Sequence, residues 1–101
     1  MKNISDDAVT IAPHVHKTLF ETERIRVLDV TVKPGDVAKM HSHPENIVVV
    51  LEGGRLEFTS EDGTKKESTL TESAVLHNPA GRHAVANKGS AEIRVIQIEL
   101  Q

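Results

Sequence analysis

β-Branched residues dominate this chain and turn residues interrupt it at short intervals, a combination that leaves little room for any fold but an all-β one. Val and Ile supply 19 of the 101 residues and Thr another eight, and such side chains suit a pleated surface better than a helix. Pro34-Gly35, Gly53-Gly54, Asp62-Gly63, Pro79-Ala80-Gly81 and Lys88-Gly89 start 19, 9, 17 and 9 residues apart, near one or two times the spacing of about 8 to 12 residues in a barrel or sandwich of short antiparallel strands. No segment carries a sustained helical period with caps. A chain of 101 residues has material for one core. It therefore reads as a single domain over residues 15–101 behind a loosely patterned arm at 1–14.

Alternation orients several strands. Asp29, Thr31 and Lys33 must face water, which turns Leu28, Val30 and Val32 inward and places Arg26 on the same inward side. Leu56 and Phe58 point in, with Arg55 and Glu57 out. Ile47-Val48-Val49-Val50-Leu51 shows no alternation and asks for cover on both faces, from the opposite sheet on one side and from the arm or a second subunit on the other. That run, with the small size of the core, predicts a homodimer. Asp62-Gly63 marks a hairpin tip.

Composition excludes several functions. The formal net charge is −3 and no basic stripe interleaves with aromatics, so a nucleic-acid partner is not expected. The absence of cysteine removes disulfides, thiolate catalysis and Cys-based zinc sites, leaving His, Asp and Glu for any metal chemistry. The polar, acidic start and the lack of a run of about 20 apolar residues predict a cytoplasmic protein without a membrane partner.

Six histidines stand at 14, 16, 41, 43, 77 and 83. In His41-Ser42-His43 the two imidazoles project from one face of a strand and can converge on one ion; two polar residues on a solvated strand face give the same pattern. His14-Val15-His16, in the arm with nothing after it to complete a site, reads as exposed.

The framework around the first pair is more specific. Gly35-x5-His41-x-His43-x2-Asn46-x6-Gly53 is followed some 35 residues on by Ser73-x5-Pro79-x-Gly81-x-His83-x3-Asn87. Together these resemble the two motifs of the cupin superfamily over residues 20 to 100, which implies a small jelly-roll barrel of double-stranded β-helix type. The resemblance implies that His41, His43 and His83 bind a metal. More narrowly, HSHPENIVVVLEGG and its flanks resemble small single-domain, RmlC-like cupins that include proteins associated with beta-alanine degradation. The sequence departs from the motifs at three points. Counting back from Gly53 puts Asn46 where the motif has its Glu ligand, and Glu45 reaches in only through a bulge. Ser73 replaces the first glycine of the second motif, and the spacing to His83 is one residue short.

Three imidazoles and Asn46 would suit Fe, Ni, Zn, Mn or Cu and leave positions open for a small molecule. With no carboxylate the ion keeps its full charge and draws an anionic ligand. Cupin dioxygenases with three His and ferrous iron are the precedent for an oxidoreductase; a barrel that binds or senses without turnover is the alternative. His77 is either an inward proton shuttle, with Glu45 as its companion, or a residue of the outer face. Arg26 either orients a substrate carboxylate or closes a salt bridge with Glu45 or Glu99. Gln97 either lines the cavity as a substrate contact or bonds neighbouring backbone. An outward His77 together with a salt-bridged Arg26 would favour the binding module over the enzyme.

Overall fold

The computed structural model describes residues 6–101. Its elements are α1 (Ala8–Ile11), β1 (His16–Glu21), β2 (Ile25–Val32), β3 (Val37–His43), β4 (Asn46–Glu52), β5 (Gly54–Ser60), β6 (Lys65–Leu70), β7 (Val75–Asn78), β8 (Gly81–Ala86) and β9 (Ile93–Leu100). One sheet runs β1-β2-β9-β4-β7 and the other β3-β8-β5-β6, with every strand pair antiparallel. Such wholly antiparallel, two-sheet pairing is that of a jelly-roll barrel. No helix among the described residues is long and apolar enough to cross a membrane.

Side chains that the alternation turned inward form the core. Leu28 and Val32 are fully buried, and Val15, Ala38, Leu56, Val85 and Ile93 pack with Val32 between the sheets. The tip at Asp62-Gly63 closes the β5–β6 hairpin, Gly63 taking a φ of 87° that residues with a Cβ rarely adopt. At Gly53 the reason for glycine is space, because an added Cβ would stand 2.3 Å from the Leu70 carbonyl oxygen. Ser73 sits at a φ of 70°, so the second motif keeps the left-handed turn of its usual glycine with a residue that adopts it at some cost.

Residues 6–14, expected as a loose arm, are instead docked. Asp7 caps α1 by accepting from the Val9 amide at 3.3 Å, Ala8 and Ala12 are completely buried, and Asp7 forms an isolated bridge with Ser42 of β3. The remainder of that arm, residues 1–5, lies outside the described residues. Because this segment packs on β3, it does not cover β4. Among the described residues nothing covers the outer face of the five-stranded sheet, which is apolar over part of its area. One row of paired residues, Phe20, Val27, Ile98, Ile47 and His77, crosses all five strands; the next is apolar at Ile96, Val49 and Val75 and charged at Asp29 and Lys17 on β2 and β1. Phe20 and Val75 are 56% and 66% exposed.

Candidate metal centre

Two strands of one sheet bring the motif histidines together. His41 on β3 pairs directly with His83 on β8, their rings edge-on at 4.9 Å, and the rings of His41 and His43 stand 4.8 Å apart. A fourth imidazole enters from the other sheet. His16, the first residue of β1 and paired with inward Val30, lies 4.9 Å from His41 and 5.3 Å from His43, ring to ring. It is 3% exposed, which corrects its reading as an exposed arm residue. Ligand atoms of His16, His41 and His43 all lie within 4.8 Å of one another. His83 is half-buried beside them and lines the adjoining cavity.

The hydrogen bonds prepare these rings as donors to a cation. His16 Nδ1 donates to the Ala12 carbonyl at 3.1 Å, His41 Nδ1 to the Lys39 carbonyl at 2.6 Å, and His43 Nδ1 to Glu99 Oε2 at 2.6 Å. With each Nδ1 carrying its proton toward an acceptor, the lone pair is left on Nε2, an arrangement that orients metal-binding histidines generally. His41 Nε2 is the only side-chain polar atom among the described residues that is sealed from solvent without a partner. A buried acceptor of this kind is costly to leave unmet, and a divalent ion shared with its neighbours would meet it. The residues present fit a metal.

Burial keeps the rings of His16, His41 and His83 neutral. Loss of water, reinforced by the neighbouring imidazoles, pushes His16 down to about 3 and His83 to about 3, and burial pushes His41 to about 4. In the unfolded chain each titrates near 6.5, so between pH 6.5 and these lowered values the unfolded state takes up protons that the folded state refuses. Stability is therefore complete above about pH 6.5 and declines as the pH falls toward 4. The melting temperature of metal-free protein, followed by circular dichroism, is expected to be level above pH 7 and to drop steadily from 6.5 to 4. A level profile throughout would show that the rings become charged inside the folded barrel.

Behind His43 lies a fully engaged ion network. Glu99, with no exposure, accepts from His43 and from Arg26 Nε at 2.7 Å, and Arg26 holds Asp7 through two further bonds at 2.9 and 2.7 Å. Of the alternatives for Arg26 the structure places it in the salt bridge, with Glu99 and Asp7 rather than Glu45, and outside the cavity wall. Two buried carboxylates against one guanidinium leave a surplus negative charge one imidazole away from the Nε2 atoms, which favours a cation there. Glu99 thus places a carboxylate behind His43 rather than among the imidazoles.

The other expected site residues are placed differently. Asn46 does not face the histidines: its Nδ2 donates to the Pro44 carbonyl at 2.9 Å, and its Oδ1 accepts from Asn78 at 3.1 Å and Gln97 at 3.0 Å. Both ends of the amide are committed, so it has no atom left for a metal. His77 and Glu45 form an exposed pair at 2.6 Å beside the outer apolar face, because His77 is in register with outward Ile47. Neither lines the cavity. Gln97 does line it, together with His16, His43 and His83, in a space of about 480 Å³ that is otherwise mostly Val, Leu, Ile and Phe.

Two antiparallel sheets rolled into a barrel, with imidazoles converging at an internal cavity, define a double-stranded β-helix protein with a candidate metal centre. The chain belongs to the cupin family, whose domain matches residues 28–99. It is similar to a cupin domain from Bordetella pertussis, with 26% identity over 86% of this chain and 92% of that one and a TM-score of 0.79. An RmlC-like cupin from Methanocaldococcus jannaschii shares the fold at 16% identity, with 85% and 78% of the two chains covered and a TM-score of 0.67. So does a double-stranded β-helix protein from Klebsiella pneumoniae at 19%, with 85% and 75% covered and a TM-score of 0.68. No curated protein matches the sequence significantly.

Proposed function

We propose that this cupin holds one divalent transition metal among His16, His41, His43 and His83 and presents it to a small molecule in the adjoining cavity. The observation that carries this reading is the set of three imidazoles with Nδ1 pinned and Nε2 turned loose, one of them orphaned in the interior. Imidazole donors suit Fe, Ni, Zn, Mn or Cu. When bound, such an ion supplies Lewis acidity and open positions for a chelating molecule or for oxygen. The chain's own groups position it: Glu99 orients His43, the backbone carbonyls of Lys39 and Ala12 orient His41 and His16, and the apolar walls exclude water. Elemental analysis of untagged protein is expected to find close to one ion per chain. No metal as purified, and none taken up on reconstitution, would refute the reading.

A binding module accounts for the geometry better than an acid-base enzyme. His77 and Glu45 are outside the cavity and Arg26 is consumed in ion pairs, so among the described residues the only titratable group lining it besides the site imidazoles is the solvent-exposed Lys66. An oxygenase-type enzyme is the second reading, favoured by the cavity's direct opening on His16, His43 and His83. Oxygen uptake by the ferrous protein with small chelating compounds distinguishes the two. The kinship with beta-alanine-degradation-type cupins is a likeness of motif and points to no particular reaction.

We also propose that two copies pair through the apolar part of the open face of the β1-β2-β9-β4-β7 sheet, around Phe20, Val27, Ile98, Ile47, Val49 and Val75, since exposed apolar rows of this kind mark interaction surfaces. Wild-type protein is expected to run as a dimer in light scattering, and the Phe20→Glu, Ile98→Glu double variant as a monomer. A monomeric wild type would overturn the pairing.

A further inference from the structure

We infer that the cavity selects a largely apolar molecule bearing a neutral hydrogen-bond donor, a hydroxyl or N–H, which Gln97 Oε1 accepts. The inference deepens the proposed function and rests on its ligand-binding cavity. It comes from the polarity of a chain of three side-chain amides that starts at a backbone carbonyl.

An amide side chain has a donor end and an acceptor end, and a single fixed partner decides which way it lies. The Pro44 carbonyl can only accept, so Asn46 must turn its nitrogen toward it. The Asn46 oxygen then faces the opposite way and can be met only by donors, which obliges Gln97 and Asn78 both to present their nitrogens. Their oxygens are left over. Among the described residues neither Gln97 Oε1 nor Asn78 Oδ1 has a hydrogen-bond partner, and both side chains line the cavity. Gln97 is 6% exposed, so its oxygen has almost no access to bulk water. It is not sealed in protein either, since His41 Nε2 is the only described side-chain atom in that condition. Gln97 Oε1 therefore opens on the cavity as an acceptor awaiting a donor.

Its position relates it to the histidines. Gln97 and Glu99 alternate inward along β9, about 7 Å apart, and Glu99 is bonded to His43. A molecule that reaches the Nε2 side of the histidines with one end lies across Gln97 with its body. The remaining walls decide the rest of its chemistry. They are apolar except for Ser68 and Thr69 on β6 and for Lys66, which is solvent-exposed. A carboxylate placed at Gln97 would meet two carbonyl oxygens and no buried cation, because Arg26 is spent on Asp7 and Glu99. Arg26 therefore offers no anchor for an anion at Gln97, where a neutral donor fits; an anionic group drawn by the charge of the proposed ion belongs at the histidine end of the molecule.

Three probes of similar shape separate the possibilities: 1-naphthol, 1-methoxynaphthalene and 1-naphthoate, titrated calorimetrically into the full chain with its metal content measured on the same sample. Naphthol is expected to bind about 5 to 10 times more tightly than the methyl ether, the scale of one neutral hydrogen bond, and, in protein without metal, more tightly than naphthoate. The preference over the ether should vanish in Gln97→Met. Should that variant fail to fold, the Gln97 side-chain amide resonances of the wild type are expected to shift with naphthol and stay in place with the ether. Tightest binding of naphthoate by protein without metal, equal binding of naphthol and ether, or no binding of any probe would overturn the inference. A naphthol preference over the ether in protein that takes up no metal would leave it standing while removing the metal reading. Metal bound with naphthol and ether binding equally would do the reverse.

Discussion

His16→Ala is expected to lower metal occupancy at least as severely as His43→Ala, although His16 lies outside the two sequence motifs. In both variants the ion loses one of the three donors whose ligand atoms cluster within 4.8 Å. His41→Ala should be the most severe, removing the donor whose Nε2 has no other partner. Competition against a chromogenic chelator should show affinity falling by at least about 10²-fold in each, given that loss of a partner behind a ligand already costs about 10- to 100-fold. His77→Ala, which removes an exposed pair with Glu45, and His14→Ala, whose ring meets only the Val37 carbonyl at the surface, serve as controls and should leave affinity unchanged. Equal loss across all five variants would mean adventitious binding by surface imidazoles. Full retention in His16→Ala would confine the site to the motif histidines.

Arg26→Met is expected to destabilise the fold by about 3–5 kcal/mol, the cost of leaving a buried charge without its partner. Here two carboxylates lose the same cation: Asp7 and Glu99 lie against one guanidinium, all of them almost completely buried. For a domain of this size that corresponds to a fall in melting temperature of more than about 10 °C. The comparison is Arg94→Met, which breaks an equally short 2.7 Å contact with Asp29 on the outer face, where the arginine side chain is 42% exposed. Solvent screening should make that loss much smaller than the loss in Arg26→Met. Urea denaturation of both variants tests the contrast. Similar losses would show that water reaches the inner network and that burial is not what makes it strong.

The histidines differ in how far the sequence exposes them. His41 and His43 lie on one strand, where a two-residue spacing puts side chains on one face whatever the rest of the chain does, and the second motif brought in His83. His16 has the same local spacing to His14, yet the two point to different environments. That difference arises from the pairing of His16 with Val30 and from the docking of Asp7 and α1 on β3, contacts that no local pattern in HVHKTLFE announces. The Arg26 network was half legible. Alternation on β2 turned Arg26 inward and Glu99 was one of two named partners, whereas Asp7 comes from a segment with no periodicity. The side of His77 and Glu45 stays open in the sequence because Ile47–Leu51 shows no polar residue to mark its outer side; the register with β7 reveals that Ile47, and hence His77, faces out. Asn46 held the expected motif position but not its direction, since the side chain is captured by Pro44, Asn78 and Gln97.

His16 is the terminal residue of β1, and β1 is an edge of its sheet. The chain neighbours of His16 are docked, with Ala12 and Val15 almost completely buried and the Val15 carbonyl accepting from the Thr31 amide, so His16 can leave the cluster only together with α1. Edge segments open with less free energy than a barrel interior, and the proposed ion would exchange with solution through local opening of that unit, faster than through global unfolding.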